Sequence, residues 1–228
     1  MLLRETTPPL SSPDHVAQAL LDGIKSGRYV PGQRLIEADL TAELSVSRGP
    51  VREALKQLSA EGVVQLIAHR GAYIRKLTRR EVTDILVIQE TLTALAARLA
   101  AEHIDDGDNR KHFQCAYRRL MDFRDRDDSN AVLDERAKFY ETLVRMSGNR
   151  ELSRFVPIPQ TNLLRTQLSQ HLTPKDRERQ FKEYENIARH ILAGNGQNAE
   201  SGMSRHIRNT RLSIERLDEL AFAGEIIA

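Results

Sequence analysis

Residues 45–62 read SVSRGPVREALKQLSAEG and decide how the first part of the chain folds. Ser47 is a residue type that caps helices, and Pro50 falls in a first turn, where no helical N–H bond is lost, so a helix should begin at Arg48. Apolar and basic side chains each recur at helical spacing. The apolar stripe is Val51, Ala54, Leu55 and Leu58, and the basic face is Arg48, Arg52 and Lys56. This helix should therefore bury one face and expose three positive charges on another.

A second short helix is predicted just upstream, over Glu37–Leu44, because apolar residues recur there at helical spacing. Only two residues separate the helices, which is typical of a helix-turn-helix whose second helix enters a groove of DNA. Downstream, two β-prone runs at residues 63–67 and 72–76 bracket a loop, with Gly71 in the turn. The pattern predicts a hairpin, or wing, beside the helix-turn-helix.

The segment before these helices supplies the rest of the module. Residues 15–26 carry apolar side chains at helical spacing and predict a first helix that Gly27 ends. Pro31 and Gly32 form a turn that should deliver Arg34 beside the second helix, where it could reach a phosphate or a base edge.

Four ordered blocks of this segment resemble a known family. PGQRL (31–35), SRGPVREAL (47–55), Glu61-Gly62 and HRGAYI (69–74) are similar to the winged-helix module of GntR-type bacterial transcription regulators, and the likeness spans roughly residues 16–77. Two positions depart from the family pattern, since Ser45 stands where glycine is usual and Gly49 where threonine is usual. Gly49 removes a side chain that could touch DNA, which affects the base preference more than the docking mode.

The resemblance implies contacts to a double-stranded DNA operator from the recognition helix and the wing. On an arbitrary helix, Arg48 and Arg52 would usually belong to a solvated face, but here they follow a capping serine in a matching module. Arg70 at the wing tip is suited to the narrow minor groove, whose potential attracts guanidinium groups. The predicted DNA-binding residues are Arg34, Ser47, Arg48, Gly49, Pro50, Arg52, Lys56, Arg70 and Gly71.

Composition limits the remaining possibilities. The chain has 228 residues, 40% of them hydrophobic, so a small domain plus a medium one is expected. Its single cysteine, Cys115, excludes an internal disulfide framework and a cysteine-based zinc finger. We find no signal peptide and no apolar run of membrane-spanning length, and expect a cytoplasmic protein with no membrane contact. Residues 1–80 hold 12 Lys and Arg against 8 Asp and Glu, so a modest positive excess accompanies the DNA module.

The second part of the chain shows only helical patterns. A long amphipathic helix is predicted over residues 81–104, with its stripe at Ile85, Ile88, Leu92, Leu95 and Leu99. Further helices are predicted over 108–127, 129–146, 150–172 with interruptions at Pro157 and Pro159, 174–193 and 197–223. The fold class is therefore mainly α, with an N-terminal winged helix-turn-helix and a C-terminal antiparallel bundle of about six helices. The expected divisions are a flexible arm (1–13), the DNA-binding domain (14–78), an effector-binding and dimerisation domain (79–223) and a tail (224–228).

This half resembles the ligand-sensing FCD domain of the FadR-like branch, at residues 95–101, from Phe139 through 147–149, and at 183–207. The resemblance implies a divalent metal held by an Asp and a His four residues apart and by further His residues, where it helps to bind an organic acid. Here Arg136, Tyr140 and Tyr184 replace ligands and only His206 remains. An arginine does not coordinate a cation and one imidazole binds a metal poorly, so we expect no metal and no other cofactor.

The replaced positions suggest a different pocket. Helical spacing places them on or beside inward stripes, and Gln89, which replaces a family arginine, lies next to one. We hypothesise that Arg136 and Arg165 hold an anionic effector directly, while the other polar groups donate hydrogen bonds. The predicted effector residues are Gln89, Arg136, Tyr140, Arg165, Tyr184 and His206. The alternative is that these residues satisfy one another in the core, with Arg136 paired to a bundle carboxylate.

Together the two halves predict a ligand-responsive regulator, most simply a repressor. One recognition helix reads few base pairs, so a homodimer on a pseudo-palindromic operator is expected, and an effector would act by favouring one arrangement of the bundle. A constitutive DNA-binding dimer without an effector is the alternative. An enzyme is disfavoured, and no catalytic residue is assigned, because the chain lacks G-x-S-x-G, P-loop, H-E-x-x-H and dinucleotide fingerprints.

Overall fold

The computed structural model describes residues 12–126 and 129–224, and for residues 129 and 130 the backbone alone. The described chain divides after Arg75 into two compact units. The expected tail at 224–228 lies outside the described residues except for its first residue, and so does the expected arm except for residues 12 and 13, which begin the first helix.

Unit 1 is a three-helix module with a small antiparallel sheet. Its elements are α1 (Ser12–Lys25), β1 (Arg34–Leu35), α2 (Glu37–Leu44), α3 (Arg48–Ala60), β2 (Val64–Ile67) and β3 (Gly71–Ile74). The strand order is β1-β3-β2. The bounds predicted for α2 and the start predicted for α3 are confirmed. The predicted winged helix-turn-helix is therefore present.

Burial of the α3 stripe fixes the orientation of this helix. Val51, Ala54, Leu55 and Leu58 are each at most 2% exposed, as the spacing predicts. They share the core of the unit with Val16, Leu20 and Ile24 of α1. Full burial of one such side chain contributes roughly 1.5–3 kcal/mol, so rotating α3 would cost several times that amount. The opposite face of α3 is consequently held toward solvent.

The sheet differs from the prediction in two respects. β1 was not predicted, and it pairs with β3 so that Arg34 lies opposite Tyr73. Gly71 is the first residue of β3 rather than a turn residue, with φ of +94°, and the left-handed residue within the turn is His69. A strand of two residues is too short to show a periodic pattern in the sequence. It forms because it pairs with β3.

Ser45 joins α2 to α3 in a left-handed conformation, with φ of +53° and ψ of +41°. Its backbone N–H bonds the carbonyl of Thr41 and so ends α2. This conformation suits glycine, because a Cβ approaches the backbone too closely there. The residue that departs from the family pattern therefore lies at a strained position.

We predict that Ser45→Gly stabilises unit 1 by about 0.5–1 kcal/mol, because it removes the Cβ from a left-handed residue. The measurement is chemical denaturation of the full chain followed by circular dichroism. Ser45→Ala keeps the Cβ and is the matched control, which should give no gain. Equal stability of the glycine and alanine variants would contradict the strain argument.

Unit 2 is all-helical in the part of the chain that the structure describes. Its helices are α4 (Arg79–Glu102), α5 (Asn109–Met121), α6 (Ser129–Met146), α7 (Leu152–Phe155), α8 (Ile158–Leu168), α9 (Pro174–Leu192) and α10 (Gly196–Glu215), with 3-10 turns at Ser169–His171 and Glu219–Ala221. None of these described helices combines the length and hydropathy needed to cross a membrane. The all-helical prediction is confirmed, although the last helix ends at Glu215 rather than at residue 223. The chain also breaks at Val156 and Pro157, which separates α7 from α8.

The stripe predicted for α4 was wrong. Ile88 is 54% exposed and Ile85 is half-buried, while Leu92, Leu95 and Leu99 pack only partly buried against a smaller cluster around Val144. The buried face consists of Val82, Leu86, Gln89, Thr93, Ala94, Ala96, Ala97, Ala100 and Ala101. Small side chains allow α4 and α10 to pack closely, so the largest residues do not mark the interface.

α4 and α10 run antiparallel along this small-residue face. Arg79 at the start of α4 donates to the Leu217 carbonyl just after α10, at 2.6 Å, and Glu90 accepts from Arg208 at 2.8 Å. A capping box of Thr78 and Glu81 starts α4. The N-terminal end of unit 2 is thus held against its C-terminal end.

Gln167 of α8 strengthens the same junction. Its side chain, 4% exposed, accepts from the Leu77 N–H at 2.8 Å and donates to the carbonyls of Leu77 and Ala221 at 3.0 and 2.9 Å. One amide therefore binds the segment that enters the bundle and the segment that leaves it.

Asp176 connects the start of α9 to the end of α10. Its carboxylate accepts from the hydroxyls of Thr173 at 2.6 Å and Ser213 at 2.7 Å, and forms ion pairs with Arg179 and Arg216 at 3.0 and 3.1 Å. Burial by itself would raise the pKa of Asp176, but these hydrogen bonds and charges lower it to about 2. The ionised carboxylate thus stabilises the folded chain.

We predict that Asp176→Asn lowers the free energy of unfolding by about 2 kcal/mol at pH 7, the worth of the pKa depression. Because the folded pKa is depressed, this stability is present above pH 4 and is lost as the pH falls toward 2. Denaturant unfolding at several pH values should show the wild type and the variant converging only over that range. A difference that does not depend on pH would contradict the linkage.

Candidate functional site

The exposed face of α3 carries the residues predicted to contact DNA. Ser47, Arg48, Gly49, Arg52 and Lys56 are exposed, and Pro50 is half-buried. Ser47 is at the N-cap position with extended backbone, but its side chain makes no capping hydrogen bond. The predicted capping bond of Ser47 is therefore absent. Space around Gly49 is open, since a Cβ there would meet no atom within 4 Å.

Two of the three basic residues of this face form ion pairs. Arg52 Nε lies 2.9 Å from Oε2 of Glu37 on α2, and Lys56 Nζ lies 2.9 Å from Oε1 of Glu53. Among the described residues, Arg48 is the basic residue of this face that has no such partner. These surface pairs contribute little to stability.

The wing brings the other predicted residues together. The pairing of β1 with β3 places the Arg34 side chain beside Gly71, where an added Cβ would lie 3.8 Å from its guanidinium nitrogens. Arg70, in the turn before Gly71, is exposed. Arg34 thus belongs to the wing strands, and sequence reasoning placed it beside α2 because β1 was not foreseen.

The six residues predicted for the effector lie buried within unit 2, each at most 5% exposed. Arg136 of α6 donates from Nε to the Tyr184 hydroxyl at 2.6 Å, and its guanidinium lies 5.2 Å from the centre of the Tyr140 ring. The rings of Tyr184 and His206 are 4.6 Å apart. Burial raises the pKa of Tyr140, so its phenol stays neutral and can donate a hydrogen bond. Arg136, Tyr140, Tyr184 and His206 therefore form one cluster.

His206 is a hydrogen-bond acceptor toward this interior. Burial lowers its pKa to about 4 despite the nearby Glu183, so the ring is neutral at pH 7. Its Nδ1 lies 2.7 Å from Oε2 of Glu183, whose pKa is held low against its own burial by bonds that include this one. An ionised carboxylate only accepts, so the proton is on Nδ1. Nε2 is then a bare acceptor with no partner among the described residues, and not the donor that we had expected.

Two buried guanidinium groups at this site lack a compensating carboxylate. Arg165 makes one long contact, from Nη2 to Thr210 Oγ1 at 3.5 Å, and its Nε has no partner, as is also true of Nη2 of Arg136. In the described chain neither group forms an ion pair, so the expected alternative of an Arg136 carboxylate pair is not found. Burial, reinforced by the charge of Arg136, lowers the pKa of Arg165 to about 10, which leaves it charged at neutral pH. Uncompensated buried charge of this kind is costly.

Two cavities reach this cluster. The larger, of about 590 Å³, is lined by Arg136, Arg165 and Tyr184 together with residues of α6, α8, α9 and the segments between them. The smaller is lined by Gln89, Arg136, Tyr140 and Thr161 among others, and has room for about one water molecule. The buried oxygens of Gln89 and Thr161 have no partner in the described chain. Five of the six predicted effector residues therefore line a cavity. His206 does not, but its ring lies against that of Tyr184, which does.

The residues present do not fit the divalent metal that the family resemblance implies. The guanidinium group of Arg136 stands where the resembling family has an acidic metal ligand. Its positive charge would repel a cation bound beside it. Across residues 12–126 and 129–224, no group of three or more His, Cys, Asp and Glu side chains is placed to hold a metal ion. The site is instead suited to an anion.

Sequence reasoning missed two members of this cluster. Glu183 orients His206 and also accepts from Asn209 at 2.6 Å, and Thr210 is the contact of Arg165. Glu183 had a signal, because it follows Arg179 by four residues on α9 and pairs with it at 3.4 Å. Thr210 had none, since its role depends on how α8 and α10 pack.

Two family models match the chain. Residues 13–74 match "Bacterial regulatory proteins, gntR family", and residues 84–209 match the FCD domain. The second match alone covers more than half of the chain.

Individual proteins are similar over different lengths. The Nta operon transcriptional regulator of Aminobacter aminovorans is 33% identical over 139 residues, which is 58% of this chain and 61% of that protein. The HTH-type transcriptional regulator LutR of Bacillus subtilis is 28% identical over 209 residues, or 82% of this chain and 93% of LutR. The first three relatives are matched over only about three fifths of their own length. The solved structure of Escherichia coli McbR/YncC superposes with a TM-score of 0.78 at 19% identity, covering 91% and 98% of the two chains, and supports the fold.

Proposed function

The chain belongs to the GntR family of bacterial regulatory proteins and carries an FCD domain, and from this membership we propose that it is a ligand-responsive transcriptional repressor. In this proposal a homodimer binds a pseudo-palindromic DNA operator through unit 1. A small organic acid bound in unit 2 alters the affinity for DNA. Relatives bear names of transcriptional regulators, and one from Paenarthrobacter nicotinovorans is named a probable transcriptional repressor, whereas no enzyme activity is named among them.

The exposed basic face of α3 supports DNA binding. The buried stripe on its other side prevents the helix from turning these side chains inward, and the strands place Arg34, Arg70 and Gly71 together in the wing. A recognition helix in the major groove and a wing along the backbone or minor groove would use both sets of residues. Of the three basic residues on this face of α3, Arg48 is best placed for direct contact, because Arg52 and Lys56 are paired with carboxylates.

We predict that Arg48→Glu weakens binding to the operator about 10- to 100-fold, the loss expected for one arginine contact. The measurement is an electrophoretic mobility shift on a duplex from the chain's own upstream region, with unrelated DNA as competitor. Arg119→Glu on α5, an exposed position in unit 2, makes the same change in net charge and should bind like the wild type. Equal losses in both variants, or none in Arg48→Glu, would contradict the proposed interface.

Exposed apolar residues on α4 and α10 support a dimer formed by unit 2. Val87 and Ile88 of α4 are 49% and 54% exposed, and Leu212 of α10 is 48% exposed. These antiparallel helices bring the three residues to similar levels of the pair. Apolar side chains of this size, exposed on neighbouring helices, are typical of an interface with a second chain.

The buried arginine pair supports an anionic effector. Arg136, Arg165 and Tyr184 line the larger cavity, Tyr140 lines the smaller one, and buried nitrogens of both arginines lack a partner. A carboxylate in the larger cavity would compensate the positive charge of the two arginines. This arrangement assigns to arginine the role that a metal has in the resembling proteins.

We predict that a carboxylate stabilises the wild type and fails to stabilise Arg136→Met, because the charge-assisted hydrogen bonds are lost. The measurement is the thermal unfolding midpoint at pH 7 with acetate, lactate, citrate or octanoate. Arg145→Met changes an exposed arginine of the same helix and should retain the wild-type shift. The same ligand can then be added to the mobility shift, where release of DNA would support an effector. Equal thermal shifts in both variants would contradict the arginine site.

A further inference from the structure

The larger cavity of unit 2 is wider than its anion-binding end requires. It measures about 590 Å³ and opens to solvent from the buried Arg136, Arg165 and Tyr184. A three-carbon hydroxy acid has six non-hydrogen atoms, and at roughly 30 Å³ each, the share of one water, it would fill about a third of this space. Cavities of this volume usually receive considerably larger molecules. The ligand should therefore extend well beyond the arginine pair.

Part of the wall beyond the arginine pair is apolar, among polar lining residues such as Ser169, Gln170 and Gln180. Val132 and Leu133 of α6 and Leu172 before α9 line the cavity and are only half-buried, while Phe181 of α9 lines it with 2% exposure. Half-buried aliphatic side chains gain by removal from water when a ligand covers them. This aliphatic part of the wall thus favours an apolar ligand body.

The other cationic groups of the lining are partly engaged. Arg124 is paired with Glu185 at 2.6 Å. Arg177 donates from Nη2 to the backbone carbonyls of Phe123 and Arg126, and Arg126 itself lies over the Phe123 ring at 4.9 Å. Arg177 is half-buried and its Nε also lacks a partner, whereas Arg136 and Arg165 are each at most 5% exposed, so the most deeply buried guanidinium charges lie at their end of the cavity. A ligand with one acidic group would enter with that group first.

We propose that this site takes an amphipathic monocarboxylate, with its carboxylate on Arg136 and Arg165 and an apolar body of roughly six or more carbons along Val132, Leu133 and Leu172. This assignment rests on the anion site of the proposed function and specifies its ligand class. It separates such ligands from short hydroxy acids and from polycarboxylates, which would leave the apolar wall uncovered.

The test is isothermal titration calorimetry of the full chain with butyrate, hexanoate and octanoate below their micelle concentrations. Affinity should rise by about fourfold for each added methylene, which corresponds to the ~0.8 kcal/mol of one buried CH₂. Octanol, which keeps the chain without the charge, should bind far more weakly. Affinity that does not change along the series, or octanol that binds as well as octanoate, would overturn the proposal.

A wall variant distinguishes the apolar body from the anion site. Leu133→Ser should lower octanoate affinity about tenfold, whereas Leu220→Ser, which changes an exposed leucine outside the cavity lining, should leave it unchanged. If lactate or citrate binds more tightly than octanoate and binding is still lost in Arg136→Met, the amphipathic class is wrong and the anion site stands. If no carboxylate shows Arg136-dependent binding, both the ligand class and the proposed effector site are wrong.

Discussion

Positive charge buried without a carboxylate is the constraint on which the interior of unit 2 depends. Arg136 and Arg165 are each at most 5% exposed, and the groups near them are neutral or already engaged: Tyr140 and Tyr184 are phenols, and Glu183 is committed to His206. A hydroxyl partner and an aromatic face reduce the cost of burial but do not cancel a full charge. Such an interior would gain free energy from an anion that entered it, which is the basis of the proposed arginine site.

The same reasoning accounts for the proton on His206. Its Nδ1–H is directed to Glu183, and burial, together with the two nearby guanidinium groups, disfavours a second proton on the ring. The neutral ring therefore presents a lone pair to the cluster, in a place where its neighbours present donors. Sequence comparison alone would treat this histidine as a leftover metal ligand, whereas the structure makes it the acceptor in a site otherwise rich in donors.

How far the sequence predicts this molecule depends on whether the decisive interactions are local. α2 and α3 were placed correctly because stripe, cap position and proline all lie within one short segment. β1 was missed because this strand forms only by pairing with β3, where Arg34 lies opposite Tyr73, a residue distant in sequence. The stripe of α4 was wrong because helix packing there follows alanines that admit α10, and size is a poor guide to such contacts. The clustering of Arg136, Tyr140 and Tyr184 followed from inward helical positions, but Glu183 and Thr210 required the tertiary packing.

The amide of Gln167 has a mechanical consequence. Gln167 lies two residues after Arg165 on α8. Its side chain forms hydrogen bonds with both the N–H and the carbonyl of Leu77. Three hydrogen bonds to peptide groups leave this side chain little freedom to absorb motion, so a displacement of α8 would be passed on to the polypeptide at the point where the bundle begins. A ligand that moved α8 at Arg165 would thus move the backbone at Leu77 with it.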